Sequence, residues 1–255
     1  MRLVSPALLA SLLVLSAAIS HAAPLSLTIS STSQITYHGQ ISIAGNDYHS
    51  NDSATLSGTL AADISHASAG VPNGLDFTGA SIVPVDLNTL FNLGSFGSTG
   101  FDINDLQIDV ATSLAGLSVS AGSFDLADHQ VGLVDAYLTS TSGLLATVLA
   151  AIVDFPENVD SHYFLPTASF AGSGTIAESP TGNPGEYLVT VTIPLSATDT
   201  VTLADDPIVV DYSYTIGGQI VATGLFVVPE PGTFLLAGLA GISLVLMRRR
   251  LCRST

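Results

Sequence analysis

Asp102, Asn104, Asp105 and Asp109 bring four oxygen-bearing side chains into one short run. Ca²⁺ takes six to eight hard oxygen ligands, so the chemistry this run suggests is a weak Ca²⁺ site. It is not an EF-hand loop, because the Gly required at position 6 is missing and Ser113 stands where position 12 needs a bidentate Glu. A similar run follows at an offset of 23. Phe101-Asp102-Ile103-Asn104-Asp105-Leu106-Gln107-Ile108 matches Phe124-Asp125-Leu126-Ala127-Asp128-His129-Gln130-Val131 at Phe, both Asp, Gln and two apolar positions. The plain reading is a repeated strand-entry turn in which Asp supplies an Asx-turn.

Other chemistries find less support. There is no Gly-x-Ser-x-Gly nucleophile elbow and no His-Glu-x-x-His. His38, His49, His66, His129 and His162 are scattered without metal-ligand spacing and read as polar filler. Glycoside hydrolysis by paired carboxylates depends on three-dimensional placement. The body offers only Glu157, Glu178 and Glu186 as glutamates, each in or beside a segment rich in Pro, Gly or Asn. No residue is assigned a catalytic role. The single cysteine, Cys252, leaves the body without a disulfide or a Cys-ligated metal.

Charge narrows the field further. The formal net charge is −16, and the five basic residues are Arg2, Arg248, Arg249, Arg250 and Arg253. There is no lysine, and every acid lies between Asp47 and Glu230. Nucleic-acid binding needs Lys or Arg at phosphates, so the body is excluded from it. Any internal ion pair must use histidine. With 10% charged and 47% hydrophobic residues, the chain is too apolar to be disordered.

The ends read as targeting devices. Residues 1–22 form a signal peptide: Arg2, an apolar run Leu8–Ile19, and small Ser20 and Ala22 before the cut. This implies the Sec translocon and signal peptidase as partners. Near the other end, Pro229-Glu230-Pro231 leads into an uncharged apolar segment, Thr233–Met247, followed by Arg248-Arg249-Arg250. The arginines act as a membrane stop and, by the positive-inside rule, stay in the cytoplasm while the body lies outside. The apolar segment is short for a span of about 20 residues.

This tripartite order resembles the PEP-CTERM sorting signal of Gram-negative bacteria, carried by Pro229, Glu230 and Pro231, Phe234–Met247 and Arg248–Arg250. The resemblance covers residues 228–253 only. It implies recognition by exosortase, a membrane cysteine protease, with transient membrane anchoring and processing near Pro-Glu-Pro. It further implies association with exopolysaccharide, biofilm or other extracellular matrix at the cell surface.

The body, residues 23–227, must be built mainly of strands. Leu25, Leu27, Ile29, Ile35, Tyr37, Ile41 and Ile43 alternate with polar residues, with Gly39 as a bend or bulge and Gly45-Asn46-Asp47 as a turn. Further strands are expected over 54–60, 76–85, 107–112, 117–121, 130–137, 168–176, 187–193, 201–203, 208–216 and 220–227. Turns fall at Pro72-Asn73-Gly74, 94–100 and 179–185. Gly217-Gly218 is expected to close a hairpin between Asp211–Ile216 and Gln219–Phe226. Ser142–Phe155 alone has helical spacing, ended by Pro156. The expected fold is a β-sandwich or jelly roll with this one short helix, an N-terminal signal helix and a C-terminal transmembrane helix. Ser and Thr read as solvated strand faces, with O-glycosylation the sharper alternative.

The leading functional expectation is an exported, exosortase-processed structural or interaction protein without a catalytic site. A Ca²⁺-dependent carbohydrate-binding module and a carboxylate-based secreted hydrolase are the alternatives.

Overall fold

The computed structural model describes residues 23–68, 70–110, 116–126, 131–142, 162–164, 168–169, 172–204 and 209–227. The signal helix expected over 1–22, residues 143–155 of the helix expected over 142–155 and the sorting segment 228–253 lie outside the described residues. Ser142, expected to open that helix, is the last residue of a strand. Among the described residues no helix is long and apolar enough to cross a membrane.

The expectation of a mainly β body holds. The strands are β1 (Ala23–Ile29), β2 (Gln34–Ile43), β3 (Asn46–Thr55), β4 (Gly58–Ser68), β5 (Val71–Ile82), β6 (Val85–Asn92), β7 (Ser98–Val110) and β8 (Leu117–Ser118). They continue as β9 (Ser123–Asp125), β10 (Val131–Ser142), β11 (His162–Phe164), β12 (Ala168–Ser169), β13 (Ser173–Pro180), β14 (Glu186–Ala204) and β15 (Val210–Val227). A 3₁₀ turn at Gly94–Phe96 joins β6 to β7.

A long antiparallel pair, β14·β15, is the spine, in unbroken register from Glu186↔Val227 to Thr202↔Asp211, with an irregularity before Ala204↔Val210. The other side of β15 serves two neighbours. β2 pairs with Val210–Gln219, and β1 pairs at Ala222 and Thr223. The larger sheet runs β8-β5-β4-β1-β15-β14-β13-β9, with the β2·β3 hairpin joined to β15. Its two ends meet: Ser120 and Ser123 bridge across a turn at Ala121 and Gly122, both at positive φ. The sheet thus curls nearly closed, where a sandwich would keep two open sheets. The smaller sheet runs β11-β10-β7-β6, with β12 on β10. Its β6 edge is stitched to β3 by side chains. Asn88 N donates to Asp52 Oδ2 at 2.6 Å and Leu90 N to Ser50 Oγ at 2.9 Å. One core links both sheets, with Leu27, Ile35, Phe77, Ile193 and Tyr212 meeting Phe91 and Ile103.

Several expected turns are corrected. Gly217-Gly218 does not reverse the chain; β15 runs straight through it. Tyr212, Tyr214, Ile216, Ile220, Ala222 and Phe226 are all buried, so even positions face inward on both sides of the glycines. A two-residue hairpin would put residues 216 and 219 on one face, but Gln219 is exposed. Gly218 stays glycine because its φ is +122° and a Cβ would strike the Gln34 carbonyl oxygen. Gly39 makes no bulge, since β2 keeps unbroken register with β15 and β3. It makes room for the Tyr37 ring, whose Cζ would lie 2.6 Å from an added Cβ. The β2–β3 turn is Ala44-Gly45, at φ 48° and 81°, and begins one residue ahead of the expected Gly45-Asn46-Asp47. Pro72-Asn73-Gly74 lies inside β5, with Pro72 at an irregular point of the β4 ladder. The strand expected over 54–60 is broken at Leu56-Ser57.

Candidate functional site

The outer face of β3-β2-β15-β14 carries an ordered polar surface. Cross-strand register sets its rows. Asn51, His38, Thr215 and Thr198 align across the four strands, and His49, Gln40, Ser213 and Thr200 align beside them. A groove of about 390 Å³ crosses these rows. His38 Nδ1 donates to Asn51 Oδ1 at 2.7 Å, and the Thr198 and Thr215 hydroxyls are bonded at 3.1 Å. Among the described residues no carboxylate lines the groove. In the flanking row, Asp47 accepts from Ser42 Oγ at 2.5 Å and Asp211 from Thr202 Oγ1 at 2.8 Å. Hydroxyl, amide and imidazole groups in an uncharged groove suit a neutral ligand rich in hydroxyls or amides. In sequence His38 and His49 read as polar filler. The signal was available: reflecting the chain about Ala44-Gly45 places His38 against Asn51 and His49 against Gln40.

Inside the near-closed sheet lies the ion pair that the lysine-free composition restricts to histidine. His66 Nε2 donates to Glu178 Oε1 at 2.6 Å, joining β4 to β13. Both residues follow inward alternations, Leu60-x-Ala62-x-Ile64-x-His66 and Gly174-x-Ile176-x-Glu178. The Glu178 side chain is 0% exposed and that of His66 13%. The His66 ring stacks on Phe226 at 4.6 Å and 11°. Glu178 Oε2 is buried without a hydrogen-bond partner among the described residues. Glu186 is occupied differently. Thr181 Oγ1 and Asn183 Nδ2 each donate to its Oε2 at 2.6 Å, and these bonds hold its carboxyl below the usual range. Glu157 lies outside the described residues.

The four residues expected to hold Ca²⁺ are not drawn around one point. All lie on β7, which does not begin at the repeat but runs through it. Asp102 and Asp109 are seven residues apart, about 20 Å along a strand, whereas Ca²⁺ ligands sit at about 2.3–2.6 Å from the ion. Among the described residues no three His, Cys, Asp or Glu side chains form a metal-holding group. The run instead encodes a bulge. Ile103 is buried, and so are Leu106, Ile108 and Val110, so the inward phase shifts by one residue between them. Asp105 absorbs the shift at φ +52°, and its N–H is capped by Asp86 Oδ1 at 2.9 Å. Desolvation, then the nearby Asp86 carboxylate, pushes the Asp102 carboxyl up. Asp109 Oδ1 accepts from Val110 N at 2.8 Å. In the second copy Asp125 ends β9, and Asp128 lies outside the described residues.

The two ends of the body emerge together. From Thr28↔Thr223, five residues back along β1 reach Ala23 and four residues on along β15 reach Val227. Ala23 pairs with Ile64 of β4, and His66 of β4 stacks on Phe226. Ala23 and Val227 therefore lie at one pole. The PEP-CTERM protein-sorting motif matches residues 227–250, beginning at the last residue of β15. The chain thus carries the signal of an exported protein that exosortase recognises and processes at the membrane. No curated protein and no solved structure matches the chain.

Proposed function

We propose that the protein is exported, cut by exosortase near Pro229-Glu230-Pro231, and then serves at the cell surface or in the extracellular matrix as a noncatalytic structural or interaction component. The observation that carries this reading is the sorting motif joined directly to the last body strand at Val227. Signal peptidase and the Sec translocon act before exosortase on this reading. Intact-mass measurement of the exported protein tests it. The expected product starts near Ala23 and lacks the segment after Pro-Glu-Pro. A product retaining Arg248–Arg250 refutes processing and leaves a single-pass anchor.

A second reading, a carbohydrate-binding module, is favoured by the uncharged groove around His38, Gln40, His49 and Asn51. Matrix polysaccharide is its ligand. The lining carries no carboxylate, so binding of this kind needs no Ca²⁺. A polysaccharide pull-down with and without chelator tests it. Retention in chelator, lost in the His38→Ala/Gln40→Ala variant, supports the groove. Retention only with Ca²⁺ moves the site elsewhere.

A further inference from the structure

The pole from which both ends leave also carries an exposed apolar pair. Leu188 and Leu225 sit directly opposite one another on the outer face of β14·β15, 39% and 56% exposed. Val227 continues that face two residues on, 61% exposed. Val71 is exposed beside the β4–β5 turn, which folds over the same pole. A Cβ on Gly70 there would lie 3.3 Å from the Tyr187 ring. Pairing two large exposed apolar side chains across a strand pair makes a continuous patch. The other exposed residues Val83, Leu90 and Val209 have no such cross-strand pairing with one another.

We propose that this pole rests on the lipid bilayer through Leu188, Leu225 and Val227 while the chain is still tethered by its C-terminal segment. The inference rests on the sorting-signal reading. The chain length supplies the argument. Five residues, hence six Cα–Cα steps, lie between Val227 and Thr233, so the patch can stand no further than about 20 Å from the start of the apolar segment. That segment, Thr233–Met247, is about 22 Å long as a helix, against a hydrocarbon core of about 30 Å. A short span draws its outer end into the bilayer and the attached pole toward the interface. The body has no Lys or Arg to meet anionic headgroups, and Glu186 lies opposite Val227. Contact must come from apolar burial at a neutral, zwitterionic surface. Seated this way, the pole holds Pro229-Glu230-Pro231 at the membrane surface, where a membrane protease can reach it.

The test uses the full chain with Cys252→Ser, reconstituted in phosphatidylcholine vesicles. A fluorophore is attached at Leu188→Cys, at Val71→Cys or, as the distal control, at Thr200→Cys in the groove rows. Brominated lipid should quench the two pole probes and leave the Thr200 probe unchanged. Leu225→Asp should cut quenching at the Val71 probe about tenfold, the equivalent of losing one buried leucine. Equal quenching at all three sites, or none at the pole in vesicles that carry the protein, overturns the proposal alone. Lipid-independent self-contact of the pole probes also overturns it, because a second copy would then be the occupant. Failure of the chain to float with vesicles removes the sorting reading and this inference together.

Discussion

The His66–Glu178 pair should dominate the stability of the near-closed sheet, and its two members should not be equivalent. Glu178 has a fully buried side chain with one oxygen bonded to His66 and the other without a partner among the described residues. His66→Ala therefore removes the carboxylate's one described hydrogen bond and leaves a buried charge. Stranding such a charge costs about 3–5 kcal/mol, and losing the stack on Phe226 adds about 0.5–1.5 kcal/mol. For a body of this size each kcal/mol is worth about 2–4 °C, so Tm should fall by at least about 6 °C. Glu178→Met removes the charge and the unpartnered oxygen together, leaving a histidine whose partly exposed ring can reach water. Its cost should be nearer 1–2 kcal/mol. The double variant His66→Phe/Glu178→Met keeps a ring against Phe226 and buries no charge, and it should recover most of the stability. Urea unfolding of the four proteins ranks their stabilities. A cost below about 1 kcal/mol for His66→Ala, or a double variant as damaged as the sum of the singles, would refute a desolvated pair.

Three further outcomes follow from the core and the bulge. Gly218→Ala should destabilise by about 1–3 kcal/mol, since it adds a Cβ against the Gln34 carbonyl at φ +122°; chemical denaturation measures it. Tyr37 and Tyr212 hydrogen-bond to one another in the core, and burial raises both phenols above their ordinary value. A raised phenol adds nothing below the unfolded value near 10 and costs stability above it, so ultraviolet titration should leave these two of the seven tyrosines protonated until alkaline unfolding. Burial and Asp86 raise the Asp102 carboxyl, so the folded state binds its proton more tightly and stability falls as pH rises through the window above the unfolded value of about 3.9. Asp102→Asn should give a small gain in Tm at pH 7 and none at about pH 3.

The strands were legible in the sequence where alternation was strict, but the turns were not always legible. The parity of the apolar residues held the answer at Gly217-Gly218: Tyr212, Tyr214 and Ile216 share parity with Ile220, Ala222 and Phe226, which only a continuous strand allows. The glycine pair outweighed that signal because Gly-Gly is so often a reversal. Parity also marked the bulge, since Ile103 and Leu106 cannot both face inward along an unbroken strand. The acidic spacing there drew attention to a metal instead. The groove required knowing that Ala44-Gly45 was the reversal, which a two-fold positive φ now explains. The His66–Glu178 contact spans 112 residues of chain, and no local pattern specifies it. The sequence restricted its cationic member to histidine and left the choice to topology.

A body without Lys or Arg must satisfy its carboxylates some other way, and the manner explains its composition. Asp47 is met by Ser42, Asp211 by Thr202, and Glu186 by Thr181 and Asn183. Asp52, Asp86, Asp109 and Asp199 take backbone N–H groups. Glu178 uses a histidine, His66. Charge-assisted bonds from hydroxyls and amides are as short as ion pairs and need no second charge. The abundance of Ser and Thr on strand faces therefore does more than solvate them: it stabilises isolated acids one at a time. Evenly spread, those acids would stand on the order of 20 Å apart, beyond two Debye lengths of about 8 Å. Apart from close pairs such as Asp86 and Asp102, their mutual repulsion is weak, and there is no Lys or Arg in the body to form a cationic network for salt to dissolve. A surface held this way should keep its fold across wide changes of ionic strength, a property suited to a protein sent outside the cell.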